Sequence, residues 1–433
     1  METNREMVNS GIPWIGDVPK SWKIVRNKDV FSNSKTLVGE NWINTQLLSL
    51  TTKGIKPVAI GSTSGKVPDS YETYQVVEKD NLVMCLFDLD CSAVFSGLSP
   101  ICGMISPAYK ALTIKKGYSP DFYAKWFDYI FDGRKFMFLS KNIRYSLTYD
   151  EFASLQVVAP SLAEQQRIAE FLDRKCAEVD EMIALQEQII EELKAYKQSV
   201  ITEAVTKGLN PDAPMRDSGI EWIGSIPEHW EVEPLKYNFN RRSERNDPII
   251  TMERLSLSID KGVTLYSEKT TNLDRFKEDF TQYQLAYPND IVLNCMNMIV
   301  GAVGLSKYLG CVSPVYYVIY PFKTKVDSEY YSYLLNTSTI RGVYYSYGKG
   351  IYAIERGEGR VNTCRLKVSY DDFGRFNIPI PPIEEQRNIV SHIKEKCADI
   401  DALIATKQQK IDSLKEYKKS IIYEYVTGKK EIA

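Results

Sequence analysis

The chain has 433 residues, of which 44% are apolar, 25% charged and 12% aromatic, with a formal net charge of −2. That length exceeds one core at roughly 100–200 residues per domain, the composition excludes a disordered chain, and the near-neutral charge excludes a uniformly basic nucleic-acid binder. With only two histidines, His229 and His392, and eight cysteines lacking any C-x-x-C pair, zinc sites, histidine triads and disulfide frameworks lack their usual parts, as expected for a reducing cytoplasm.

No apolar run approaches the ~18 residues of a membrane span, and the start carries Glu2, Arg5 and Glu6 where a signal peptide would be apolar. A cytoplasmic chain with no membrane partner is therefore expected. Ser10, Gly11, Ile12, Trp14, Ile15 and Gly16, then Pro19 and Trp22, open a first unit over residues 1–160. It reads as mixed α/β, with a strand at 81–87 and a helix at 121–131. Gly61 to Lys66 resembles a phosphate loop, but three residues separate its glycines and Val67 replaces the magnesium-binding hydroxyl, so it reads as a turn. From 133 to 149 there is no acid, while Arg134, Lys135, Lys141 and Arg144 alternate with Phe136, Phe138 and Tyr145.

Pro160, Ser161 and Glu164 mark a helix start of the capping-box type, and Ile183, Ile190, Leu193 and Val200 recur at helical spacing on a Glu/Lys/Gln background. The spacing predicts a long amphipathic helix over 161–208, with ten acids against six bases over 161–210. Residues 209–217, with Pro211 and Pro214, read as a linker.

The plan then repeats. Ser218, Gly219, Ile220, Trp222, Ile223 and Gly224, then Pro227 and Trp230, return at an offset of 208 and open a second unit over 218–381. Lys53 and Gly54 return as Lys261 and Gly262, and a strand is read at 290–295. A second basic, aromatic strip over 340–370 carries Arg341, Lys349, Arg356, Arg360, Arg365 and Lys367 with Tyr344, Tyr345, Tyr347 and Tyr352. A second helix over 382–430 follows Pro381 and Pro382, with Ile404, Ile411, Leu414 and Ile421 on its stripe. Residues 164–206 and 385–427 are identical at 20 of 43 positions.

The fold class expected is α+β: two mixed domains joined by two long antiparallel helices in a coiled-coil rod, with a pseudo-twofold internal repeat. Basic, aromatic strips in both copies point to duplex DNA, where Lys and Arg neutralise phosphates and Arg reaches base edges. The DNA-binding candidates are Lys141, Arg144, Tyr145, Lys349, Arg356, Arg360 and Arg365, joined by Lys53, Lys66 and Lys261. No catalytic or metal site is expected. A two-headed protein scaffold that never touches DNA is the competing reading.

The paired opening motifs, the Pro-x-x-x-Glu-Gln at Pro160 to Gln165 and Pro381 to Gln386, and Tyr196 with Ser199 and Tyr417 with Ser420 resemble the specificity subunit of type I restriction-modification systems. That resemblance implies a non-catalytic subunit whose two target-recognition domains read a bipartite, asymmetric DNA sequence. It also implies that the helices dock two methyltransferase subunits and that a restriction subunit completes the complex. S-adenosylmethionine, ATP and magnesium would then belong to those partners, with no cofactor on this chain.

Overall fold

The computed structural model describes residues 5–12, 14–33, 36–61, 68–90, 92, 95–132, 135, 145–258, 261–268, 279–295, 302–351, 355–356, 360–361 and 365–432, with the backbone alone at 349–351, 355–356, 360–361 and 365–366. The chain is an α+β protein whose two mixed halves repeat one topology.

In the first half, β1 (Phe31–Asn33), β2 (Leu82–Met84), β3 (Ser96–Leu98) and β4 (Lys110–Ile114) form a four-stranded antiparallel sheet in the order β1-β4-β2-β3. Alternation along the central strand serves two cores. Leu82 and Met84 enter the large one, while Val83 enters a smaller one with Leu48, Leu50 and Ile55. Helix α1 (Pro120–Asp132) buries Phe122, Tyr123, Trp126, Phe127 and Ile130, one helical face, against that sheet. Two further helices follow, α2 (Tyr149–Ser154) and α3 (Leu162–Lys207).

The second half repeats this with β5 (Phe239–Arg241), β6 (Ile291–Asn294), β7 (Val303–Leu305) and β8 (Tyr316–Pro321) in the order β5-β8-β6-β7. Again Ile291 and Leu293 face the large core and Val292 the small one. Helices α4 (Ser328–Leu334) and α5 (Ser338–Tyr347) precede a β-ribbon, then come α6 (Tyr370–Gly374) and α7 (Ile383–Val426).

The two long helices share the cores of the heads. The compact units are residues 1–187 with 408–433, and residues 188–407, so the division falls within α3 and α7. The physical reason is core sharing. In the first unit Ile168, Leu172 and Cys176 of α3 and Ile421, Ile422 and Val426 of α7 pack into the core that holds Trp22 and Phe122. In the second unit Ile201, Ala204 and Val205 of α3 and Ile389, Val390 and Ile393 of α7 do the same around Trp230.

Within each unit the helix segments run antiparallel. Lys418 Nζ donates to Asp180 at 2.7 Å and the Phe171 and Tyr425 rings lie 4.5 Å apart. In the second unit Lys197 Nζ donates to Asp401 at 2.7 Å, while Gly208 sits against Glu385. The second ion pair is the first shifted by 221 residues with the helices exchanged. Exposed pairs of this kind contribute only about 0–1 kcal/mol, so they mark register more than stability.

On the stripe, Ile190, Ile411, Leu414 and Ile421 are buried, whereas Ile183, Leu193, Val200 and Ile404 are half-buried. The helix start differs from a full capping box. Ser161 accepts the Glu164 N–H at 3.3 Å, but the Glu164 carboxylate pairs with Arg5.

The repeated glutamines explain the Pro-x-x-x-Glu-Gln motif. Gln165 is fully buried, donates to the Pro160 carbonyl and accepts the Ser119 N–H, which ties the start of α3 to the entrance of α1, both at 2.8 Å. Gln386 likewise donates to the Pro381 and Lys325 carbonyls and accepts the Asp327 N–H, each at 2.8 Å.

The tryptophan motifs close the helix ends. Each forms the loop of a hairpin, Met7–Asn9 with Asp17–Pro19 and Met215–Asp217 with Ser225–Pro227. Trp22 and Trp230 then pack on Gly428 and Gly208, the glycines that stop α7 and α3 at φ +72° and +76°. A Cβ at Gly428 would lie 3.0 Å from Trp22 and overlap the Pro19 ring. Gly428→Ala is therefore expected to destabilise the first unit by about 2–3 kcal/mol, since left-handed backbone alone costs about 1–2 kcal/mol and the overlap adds to it. Gly11→Ala, at φ +73° with nothing within 4 Å, carries the backbone term only. Thermal melts of the two variants check this, and equal losses would contradict it.

Candidate nucleic-acid interface

The basic strip of the second half folds as a two-stranded antiparallel ribbon. β9 (Lys349–Ile351) pairs with β12 (Arg365–Lys367), and β10 (Glu355–Arg356) pairs with β11 (Arg360–Val361). Lys349 opposes Lys367, Ile351 opposes Arg365, Glu355 opposes Val361 and Arg356 opposes Arg360. Every pair in both ladders keeps the same register.

That register sets like charges in directly opposed positions twice, at Lys349 with Lys367 and at Arg356 with Arg360. Directly opposed like charges destabilise a ladder by a few tenths of a kcal/mol or more. A polyanion lying along the ribbon would relieve that repulsion, and a two-stranded ribbon fits the major groove of a duplex.

The start of the strip, by contrast, is not an interface. Residues 338–347 form α5, whose period turns Ile340 and Tyr344 fully into the core, and the Tyr344 hydroxyl donates to the Leu335 carbonyl at 3.1 Å. Arg341 donates to the Asn336 carbonyl, which accounts for its guanidinium locally. Tyr345 and Tyr347 remain exposed.

In the first half, Lys66, Lys141 and Arg144 lie outside the described residues. Tyr145 is exposed, with φ +45°, and its carbonyl accepts the Leu89 N–H at 3.2 Å. Lys135 turns back over the Tyr129 ring at 4.6 Å, and burial pulls its ammonium below the ordinary lysine value against the pull of Asp132. Lys53 and Lys261 are exposed at the turns of equivalent hairpins, Leu48–Thr51 with Gly54–Pro57 and Leu255–Ser258 with Gly262–Leu265.

Two consecutive arginines at the edge strand β5 escaped the sequence reading. Arg242 donates to both carboxylate oxygens of buried Asp290, at 2.7 and 3.0 Å, and lies between the Tyr287 and Tyr320 rings at 4.4 and 4.5 Å. Exposed Arg241 lies over the Tyr317 and Tyr370 rings at 4.9 and 5.3 Å. Nothing in the local sequence separates these neighbours.

Burial pushes the Cys295 thiol above its ordinary value, opposed in part by the Lys367 ammonium and the Arg241 guanidinium. Among the described residues no group of three His, Cys, Asp or Glu could hold a metal ion, and no helix is long and apolar enough to cross a membrane.

Exposed apolar side chains also recur on the long helices. Met182 and Tyr417 belong to the first unit and Leu403 and Tyr196 to the second, each half or more exposed. An offset of 221 relates Met182 to Leu403 and Tyr196 to Tyr417. In the first unit a cavity of about 680 Å³ between α1 and the helices is lined by Tyr129, Phe131, Ile183 and Ile422 among others.

Residues 19–195 match the type I restriction modification DNA specificity domain. The chain is 25% identical over 299 residues to a putative type I restriction enzyme MjaX specificity subunit of Methanocaldococcus jannaschii, covering 66% of this chain and 61% of that protein. It is 21% identical over 270 residues to the type I restriction enzyme EcoDI specificity subunit of Escherichia coli, covering 58% and 57%. The chain thus spans about three fifths of the length of the curated relatives it matches. Its fold is that of a solved chain from a study of complex assembly and conformational transition in a type I R-M system, with a TM-score of 0.64 at 14% identity over 95% and 99% of the two chains. The HsdS subunit from Thermoanaerobacter tengcongensis follows at a TM-score of 0.50 and 16% identity, over 95% and 98%.

Proposed function

We propose that this chain, whose residues 19–195 match the type I restriction modification DNA specificity domain and whose curated relatives are type I restriction enzyme specificity subunits, reads duplex DNA through its two heads as the specificity subunit of a restriction-modification complex. The observation that carries this reading is the ribbon over residues 349–367, where opposed basic positions oppose folding and favour a polyanion. The heads share a frame but differ in their basic strips, so the target is two different half-sites separated by unspecified base pairs.

Methyl transfer and cleavage fall to partners. Two methyltransferase subunits dock on the helices, because the exposed Met182 with Tyr417 and Leu403 with Tyr196 offer one apolar pattern twice, and a restriction subunit completes the complex. S-adenosylmethionine, ATP and magnesium are held by those subunits, and this chain acts without a cofactor in the cytoplasm.

The test is retention of a duplex across salt by the full chain with its methyltransferase. Affinity is expected to fall steeply with salt, because neutralised phosphates release counterions. No retention at any salt would favour a scaffold that never touches DNA. Arg360→Glu sharpens the test. It replaces one opposed like-charge pair by an attractive one, so the melting temperature holds or rises while duplex affinity falls at least about tenfold. An unchanged affinity would remove the ribbon from the interface.

A further inference from the structure

We propose that Arg241 contacts the duplex directly and belongs to the DNA-reading surface of the second head; this rests on the DNA reading above and extends it to a residue outside the basic strip. Arg241 ends the edge strand β5, opposite Ile319 of β8, and Tyr317 lies two residues further along β8 on the same face. Its guanidinium lies over the Tyr317 and Tyr370 rings, which themselves meet edge-to-face at 5.4 Å and 77°. Tyr317 is fixed in turn, since its hydroxyl donates to the Val368 carbonyl at 2.9 Å. Burial raises that phenol to about 12, so the platform stays neutral.

The neighbour supplies the contrast. Arg242 has its charge met by Asp290 and, at 3.5 Å, by Glu244. Among the described residues no carboxylate forms an ion pair with Arg241, although Asp371 stands near Tyr317. The second head thus spends two tyrosine rings on orienting an exposed cation whose charge is left open. Both Arg241 and Lys367 of the ribbon draw the Cys295 thiol downward, against its burial. A planar, ring-stacked, uncompensated guanidinium is suited to a phosphate or to a guanine edge, both of which accept two parallel N–H bonds.

The equivalent place in the first head differs in chemistry. There β1 ends in Asn33, opposite Leu112, with Lys110 two residues along β4 and the Tyr149 hydroxyl at the Asn33 backbone. The frame is kept while the side chain offered changes, which is what two heads with different half-sites require.

The experiment measures anisotropy of a labelled 40-base-pair duplex of random sequence, and separately the sequence methylated, with the full chain and its methyltransferase. Arg241→Ala, Arg241→Lys and the control Arg387→Ala, on an exposed turn of α7, are compared with the unmodified chain. Arg241→Ala is expected to lose about five- to hundredfold in affinity. A salt slope lowered by about one identifies a phosphate contact, and a relaxed second half-site identifies a base contact. Arg241→Lys keeps the charge but not the planar fork, so it binds between the two. If Arg241→Ala melts early, Arg241→Lys decides. Native affinity, slope and target in the folded variants would overturn the role of Arg241. Failure of the unmodified chain to bind any duplex would instead overturn the DNA reading, and this proposal with it.

Discussion

Gln386→Leu should cost the second unit about 3–4 kcal/mol, and lower its melting temperature by roughly 10 °C. The side chain is fully buried and makes three hydrogen bonds, to the Pro381 and Lys325 carbonyls and from the Asp327 N–H. Leucine has similar bulk and can satisfy none of them. Each backbone group left dry and unpaired costs about 1–3 kcal/mol, and three cannot all be rescued by one local shift. The loss falls on a junction, because those bonds tie the start of α7 to the entrance of α4. Gln408→Leu, at an exposed position of the same helix, is expected to stay within about 0.5 kcal/mol. Hydrogen exchange of the two variants locates the loss. Equal protection in both would mean that the Pro-x-x-x-Glu-Gln motif has no such structural role.

An insertion into one long helix should break the chain's assembly, whereas a matched insertion into both should be tolerated. Each unit takes segments from both α3 and α7, and both helices run unbroken from one unit into the other. Four residues added after Glu192 lengthen α3 by about 6 Å and keep its stripe nearly in phase at 3.6 residues per turn. Helix α7 is then too short, and either Asp180 with Lys418 or Lys197 with Asp401 must part, along with the core around it. Four residues after Thr406 as well restore the match. Two residues at both places rotate the stripe by about 200° and should abolish pairing. Co-purification with the methyltransferase reads all three cases. Normal assembly by the single insertion would show that the helix segments are not held in register.

The repeat, both long helices and their ends could be read from the sequence, because offset, capping and apolar period are local signals. The sharing of one core by distant segments could not. It brings Ile168 and Val426 together across more than 250 residues of sequence. The glutamine motif was visible as a pattern, yet its job lies in bonds to Ser119 and Asp327, 46 and 59 residues away. Tyr344 was misplaced because aromatic residues next to basic ones look alike on a core helix and on a surface strip; only the packing of α5 separates them. The ribbon register ran against the rule that opposed positions avoid like charge, so pairing preferences alone would not have found it. Arg241 and Arg242 are the same residue type side by side, and only their tertiary partners distinguish them.

The most direct measurement of the central claim is the sequence methylated in cells that carry this chain with its methyltransferase, determined again for the matched four-residue insertion. The unmodified chain should yield two different half-sites with an unspecified gap. The insertion should lengthen that gap by one or two base pairs, at roughly 3.4 Å of duplex per base pair, and leave both half-sites as they were. A continuous or palindromic target, or a gap that does not change in an assembled complex, would contradict the account.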